Sequence, residues 1–224
     1  VCSSTGLHIA AYRAKQSGIE VFVGTRDALA SLVVDGRVAT AAFAGDSGTL
    51  FVLAMQGDGS SNLLRINQGS TRAEVLLRRL DADLFVHSLC VSPNGKTVYL
   101  ALAGSGPPDD VARHRPDAQR WLGIYSFEVP SSRLTKIFQA QTDVFAPAVV
   151  GNQIFYAANA ERDSIVIIPI DGGPSQEVLA GAQHPTWNPD GKRIGVTYGP
   201  WRLADFALNL DGGVVPLDSK MRTA

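Results

Sequence analysis

The sequence predicts an all-β chain built from repeated four-stranded antiparallel sheets, and three observations support this class. Two well-separated segments, Val91–Leu100 and Trp187–Val196, share a Pro-[Asn/Asp]-Gly-Lys turn followed by a strand pattern. Strand-length apolar runs recur between clusters of glycine, proline, asparagine and aspartate. No stretch shows helical periodicity beyond a turn, although Gln16, Asp27–Leu32 and Ser70–Leu80 are ambiguous.

The shared turn has a physical basis. Proline presets φ at one turn position, and Asn or Asp followed by Gly accepts a positive φ, so each segment is predicted to be a hairpin. Weaker copies occur at Val1–Ile9, Ala42–Val52 and Val149–Tyr156. The aligned positions are 41, 48, 56 and 40 residues apart, and they are Ile9, Leu50, Val98, Ile154 and Ile194. A period of roughly 45 residues is that of a propeller blade.

Each unit also carries a second hairpin, which completes an up-and-down blade. The third strands are predicted at Ile19–Val23, Asn62–Ile66, Gly123–Phe127, Ser164–Ile168 and Asp205–Asn209. The fourth strands of the later units are predicted at Ala73–Leu77, Leu134–Phe138, Gln176–Leu179 and Val214–Leu217. The sequence therefore predicts a β-propeller of about five four-stranded antiparallel blades. It is expected to form one domain over residues 1–224, with blades at approximately 1–37, 38–80, 84–140, 144–180 and 183–218.

One hairpin resembles a known repeat. His184–Ile194 reads His-Pro-Thr-Trp-Asn-Pro-Asp-Gly-Lys-Arg-Ile, which is similar to the Pro-x-Trp-Ser-Pro-Asp-Gly-x-x-Ile pattern of the TolB-like, WD-repeat-like β-propeller family. The Asp-Gly turns in Ile170–Gly173 and Leu210–Gly213 also resemble that family, and two of the five units are close copies. The resemblance implies a binding scaffold in the periplasm or at the cell surface, as the sensor or docking domain of a larger envelope protein.

The number of blades is left open by the sequence. TolB-type propellers resemble six-bladed wheels, whereas five units are visible here, and Val1–Gly6 aligns with the end of a first strand. Either residues 219–224 return to complete the first blade, or the chain is an excised or processed part of a longer protein. A six-bladed wheel with one degenerate blade is the third alternative. The count favours five blades.

Composition excludes several function classes. Twenty basic against 21 acidic residues give a net charge of -1, which argues against nucleic acid or an anionic membrane as the partner. Apolar runs such as Ser164–Ile170 are too short to span a bilayer. The four histidines lie in different units, so no metal and no cofactor are expected. Cys90 is predicted to be a small buried residue on a strand, and a Cys2–Cys90 disulfide stays open.

A binding site is predicted on the loop face of the propeller. The loops between second and third strands share one face with the loops between blades, and the longest of them covers residues 104–121. Arginine and tryptophan are frequent anchors at protein interfaces. The predicted partner-binding residues are Arg113, His114, Arg115, Arg120, Trp121, His184, Trp201 and Arg202. The alternatives are a solvated loop and a Trp201 packed against a neighbouring blade.

Catalytic motifs are weak. Gly45–Gly48 reads Gly-Asp-Ser-Gly, like the nucleophile segment of trypsin-type proteases, but it occupies the turn of the repeat and only His8 precedes it. We therefore expect no catalytic residues and a non-enzymatic propeller that binds a protein or peptide. The alternatives are the propeller half of a truncated hydrolase, or a lactonase-like or glycan-acting enzyme. The enzyme would bring acidic residues together at the channel mouth, namely Asp81, Asp83, Asp143 and Glu161.

Overall fold

All regular structure that the computed structural model describes is β-strand, which confirms the all-β class. The described residues are 1–3, 5–15, 18–58, 60–80, 85–103, 122–140, 143–159, 163–187, 193–198, 202–208, 214–216 and 222–223. The two ambiguous segments overlap the strands Ala28–Val34 and Glu74–Leu80, whereas Gln16 lies outside the described residues. Three valines lie in these two strands, Val33, Val34 and Val75, in keeping with the strand preference of β-branched residues.

The strands form five antiparallel sheets. The first sheet contains β1 (His8–Lys15), β2 (Gly18–Thr25) and β3 (Ala28–Val34). The second sheet contains β4 (Arg37–Phe43), β5 (Thr49–Met55), β6 (Ser61–Asn67) and β7 (Glu74–Leu80). The third sheet contains β8 (Phe85–Val91), β9 (Thr97–Ala103), β10 (Gly123–Glu128) and β11 (Arg133–Gln139). The fourth contains β12 (Asp143–Val150), β13 (Gln153–Asn159), β14 (Asp163–Pro169) and β15 (Gln176–Ala180). The fifth contains β16 (Ala182–Trp187), β17 (Arg193–Tyr198), β18 (Arg202–Leu208), β19 (Val214–Pro216) and the short β20 (Arg222–Thr223).

The arrangement of the sheets is that of a propeller. Within the second, third and fourth sheets the strands pair in chain order, so the first strand forms one edge and the fourth strand the other. The first sheet pairs its three strands in the same order, and in the fifth sheet β20 also pairs with β18. The first strands β4, β8, β12 and β16 contact one another in succession, and the fourth strands lie at the outer edges. The predicted third and fourth strands of the later units coincide with observed strands at these positions.

The core lies between neighbouring sheets, and the second strands of the three central sheets contribute side chains to two interfaces each. On β5, Leu50 and Val52 pack against the first sheet, whereas Phe51 and Leu53 pack against the third, and all four are fully buried. Successive side chains of a strand point to opposite faces, so a strand buried on both faces reads as a continuous apolar run. The same division occurs on β9 and β13.

The predicted hairpin turn is present in the first three units. In residues 92–97 the Ser92 N–H donates to the Thr97 carbonyl at 2.9 Å, and the Gly95 N–H donates to the Ser92 carbonyl at 2.8 Å. Gly95 has φ 69°, the left-handed conformation that the Asn-Gly pair predicts. Equivalent pairs of hydrogen bonds close residues 3–8 and 44–49. The turns are therefore 41 and 48 residues apart, as the alignment of the repeat requires.

The two ends of the described chain differ from the central sheets. Cys2 forms a single antiparallel bridge with Ile9, as expected for the end of a first strand. Arg222 and Thr223 pair with β18 rather than with the first sheet, so the alternative in which this segment completes the first blade is wrong for these two residues. The reason is that β19 pairs with Phe206–Leu208 alone, which leaves the edge of β18 at Arg202 available.

The cysteines do not form the disulfide that the sequence left open. Cys2 is exposed and free, and Cys90 is free on β8. The predicted place of Cys90 on a strand is confirmed, but the residue is only partly buried, where it packs against the apolar cluster between the third and fourth sheets. Burial raises the pKa of its thiol well above the usual range, so the thiolate is strongly disfavoured.

Candidate functional site

Most of the predicted binding residues lie outside the described residues, namely Arg113, His114, Arg115, Arg120, Trp121 and Trp201. The described backbone places His184 in a bulge of β16 and Arg202 at the start of β18, and the side chains of both lie outside the description. Of the predicted acidic residues, Asp81, Asp83 and Glu161 lie outside the described residues, and so does the side chain of Asp143. The loop-face site and the acidic channel mouth therefore stay predictions.

The described residues form a cleft between the second and third sheets. Its volume is about 630 Å³, a size typical of ligand sites. It opens at the end of the sheets that carries the turns between first and second strands and between third and fourth strands. This end is opposite the predicted loop face. We call this space the turn-face cleft.

One wall of the turn-face cleft is a cross-strand ion pair on the second sheet. Arg65 on β6 lies directly opposite Glu74 on β7. The Arg65 guanidinium donates to Glu74 Oε2 from Nη2 at 2.6 Å and from Nε at 2.9 Å. Beside them, Thr49 Oγ1 donates to Asn67 Oδ1 at 3.2 Å. Because each group is bonded to its cross-strand neighbour, this wall is held in one geometry.

The other wall is the hairpin turn of the third sheet. Asn94 Oδ1 accepts hydrogen bonds from the Lys96 N–H at 3.0 Å and from Ser92 Oγ at 2.8 Å. The Lys96 carbonyl accepts from the Val129 N–H at 2.9 Å, which ties the turn to the end of β10. The Lys96 side chain is exposed, and within the described ranges no carboxylate lies within ion-pair distance of it.

Apolar side chains line the remaining surface of the turn-face cleft. Val75, 38% exposed, and the partly buried Leu76 contribute from β7. Val129 and Pro130 contribute from the turn after β10, and Phe51 closes the cleft against the core. The cleft thus combines hydrogen-bonding groups on two walls with an apolar surface between them, a combination typical of ligand-binding clefts.

The lining residues do not form a catalytic set. Glu74 is the one carboxylate among the described lining residues, and it is paired with Arg65. Ser47 Oγ donates to the Ala44 carbonyl at 2.8 Å, and His8 Nε2 lies 3.0 Å from the Asp46 carbonyl oxygen. Gly45–Gly48 is therefore a hairpin turn, as the repeat predicts, and the histidine bonds its backbone rather than the serine.

Two features are absent from the described part of the chain. No group of three or more His, Cys, Asp or Glu side chains there is close enough to hold a metal ion. No helix long and apolar enough to cross a membrane occurs in the same part of the chain.

Solved structures show what this chain is similar to. It matches TolB from Acinetobacter baumannii with a TM-score of 0.66 and 13% identity, over 99% of this chain and 54% of that one. The fold is that of a TolB-like β-propeller. A TolB-type protein of Agrobacterium tumefaciens matches with a TM-score of 0.62 and 15% identity, over 97% and 78% of the two chains. The oligogalacturonate lyase of Vibrio parahaemolyticus matches with a TM-score of 0.71 and 10% identity, over 99% and 64%.

These similarities are confined to the fold. The chain spans between 54% and 78% of the length of these three proteins. No family model matches the sequence, and no curated protein matches it. A TolB protein and a lyase share the same architecture, so the architecture does not select between binding and catalysis.

Sequence reasoning missed the turn-face cleft, although two signals for it were present. Arg65 and Glu74 stand on either side of the turn at Asn67–Gly69, where hairpin pairing brings residues of opposite charge together. Lys96 belongs to the Pro-Asn-Gly-Lys motif, and the motif was explained by turn formation alone. A lysine is not needed to make that turn.

Proposed function

We propose that this chain is a non-enzymatic docking propeller that binds a peptide segment of a protein partner. The observation that carries the proposal is the turn-face cleft, which has polar walls, an apolar surface and no pair of carboxylates among its described lining residues. Peptide segments need both kinds of contact, because each residue carries a backbone donor and acceptor beside its side chain. The TolB-like fold is compatible with this role.

The predicted loop-face residues fit the same proposal as a second contact surface. Trp121 and Trp201 are the strongest candidates there, because truncation of tryptophan at an interface is often costly. We further propose an extracytoplasmic location, in the periplasm or at the cell surface, on the basis of the resemblance of the repeat. Protease accessibility of the chain in intact and osmotically opened cells tests the location.

Selection of peptides from a displayed random library on the immobilised full chain tests the function. Enriched peptides are synthesised, and their affinities are measured by fluorescence anisotropy. Val75→Trp fills the cleft and should lower the affinity at least about tenfold, whereas Val33→Trp, a matched change at a 58% exposed strand position, should leave it within twofold.

The outcomes separate the alternatives. Loss of binding in Val75→Trp alone supports the turn-face cleft as the docking site. Loss in Trp121→Ala or Trp201→Ala with no effect of Val75→Trp would move the site to the loop face and refute the cleft. Failure to enrich any peptide that competes for the chain would refute peptide docking.

A further inference from the structure

We infer that the turn-face cleft recognises an extended acidic peptide segment, through a side-chain carboxylate bound by Lys96 and Asn94. This inference rests on the proposed docking function and names the chemistry of the partner. It is carried by the hydrogen-bonding groups that the cleft leaves unused, and by the sign of its charge.

The first step concerns the unused groups of the third-sheet wall. Asn94 Oδ1 is occupied, because it accepts from the Lys96 N–H and from Ser92 Oγ. A backbone N–H can only donate, so this bond fixes the orientation of the amide and leaves the two Nδ2 hydrogens as donors. The Lys96 ammonium adds three more donors two residues later in the same turn. Within the described structure neither nitrogen has a hydrogen-bonded partner.

The second step concerns the opposite wall, where unused hydrogen-bond donors again outnumber unused acceptors. Arg65 uses Nε and Nη2 on Glu74 Oε2, so Nη1 is a further donor facing no described acceptor. Asn67 Oδ1 is taken by Thr49 Oγ1. The exception is Glu74 Oε1, the one acceptor of this pair that is left over. A ligand rich in acceptors complements such a surface, and a carboxylate supplies acceptors alone when it is ionised.

The third step concerns charge. Arg65 and Glu74 neutralise each other, and Lys96 is the uncompensated charge among the described lining residues. The cleft is therefore positive on a chain whose formal net charge is -1. Complementary charge favours an anionic partner over a basic one and speeds its association.

The fourth step concerns the size of the ligand. A cleft of about 630 Å³ is far larger than one carboxylate. Its apolar surface between Val75 and Pro130 accommodates an aliphatic side chain next to the acidic one. Both features fit an internal segment of an extended chain rather than a free small acid.

Matched peptides test the inference. The probe is the tightest library-selected peptide, made with acetylated and amidated ends, and a second version in which every Asp and Glu is replaced by Asn and Gln. We expect the neutral version to bind about tenfold more weakly, and the difference to shrink between 50 and 500 mM salt. Lys96→Gln should weaken the acidic peptide about three- to tenfold, and Lys96→Glu more strongly, with little effect on the neutral peptide.

Controls keep the inference separate from the proposed function. Arg26→Glu places the same charge reversal in an exposed turn of the first sheet and should change neither affinity. Lys96 contributes its backbone to the turn, so its side-chain variants should keep the urea unfolding midpoint. Equal binding of both peptides, lost in Val75→Trp, would overturn the acidic preference and leave peptide docking intact. Binding of both peptides that is unaffected by Val75→Trp would overturn this inference and remove the turn-face cleft as the docking site, with peptide docking then assigned to the loop face.

Discussion

Removal of one buried hydroxyl should stabilise this protein. Tyr125 on β10 is 4% exposed in the core between the second and third sheets, and among the described residues its hydroxyl has no hydrogen-bond partner. Leaving such a group unsatisfied costs about 1–3 kcal/mol. Tyr125→Phe keeps the ring contacts and deletes the hydroxyl, so we expect the free energy of unfolding to rise by about 1–2 kcal/mol. In a chain of this size each kcal/mol moves Tm by about 2–4 °C.

The assay is urea unfolding of the full chain, followed by circular dichroism, together with thermal melts. Tyr99→Phe is the matched control, since Tyr99 is a similarly buried residue on the neighbouring β9 whose hydroxyl is not both buried and unpartnered. The control should be neutral or lose up to about 1 kcal/mol. A loss of more than about 0.5 kcal/mol in Tyr125→Phe would show that the Tyr125 hydroxyl is bonded, and the reasoning would fail.

Three further results are expected. Phe51→Ala deletes a fully buried ring and should lower the free energy of unfolding in urea by about 3–5 kcal/mol. Val33→Ala, on the exposed edge strand, should change the same free energy by less than about 0.5 kcal/mol. Equal losses in the two variants would contradict the assigned core. Gly123→Ala would place a Cβ against the Phe138 carbonyl oxygen at a φ of +148°, so it should lower the free energy of unfolding by more than about 2 kcal/mol. Gly57→Ala, where nothing lies within reach of a Cβ, should lower it by less than about 0.5 kcal/mol. Burial raises the pKa of Tyr125 to about 12 from an unfolded value near 10, so the free energy of unfolding should fall as the pH rises from about 10 to about 12. The fall should be less steep in Tyr125→Phe, which lacks the titrating hydroxyl. Parallel pH profiles of the two proteins would argue against the burial of this hydroxyl.

Much of the fold could be predicted because its signals are local. The Asn94–Gly95 turn carries its own conformational preference, and the apolar run Leu50–Leu53 requires that other elements cover both faces of its sheet. Such features do not depend on distant residues, so a repeat reveals them several times along the chain. The TolB-like resemblance of His184–Ile194 rested on the same local turn chemistry.

The site was harder to predict because it depends on contacts across a sheet interface. Lys96 and Glu74 line one cleft although they belong to different sheets, and nothing in the spacing of the repeat determines how their turns meet. The bond between Thr5 and Asp46, which joins the turns of the first two sheets at 2.7 Å, went unpredicted for the same reason. Loop length directed attention to the opposite face, where lengths vary most.

The double burial of β5 has a consequence for how this architecture can change over time. Because Phe51 and Val52 belong to different cores, a strand of this type cannot be exchanged to suit one neighbour without disturbing the other. Compensating substitutions would have to spread outward from the altered strand in both directions. Growth or loss of the array is therefore simplest in whole sheets, while diversity accumulates in the turns, where a residue such as Lys96 can acquire a new role at little cost to its neighbours.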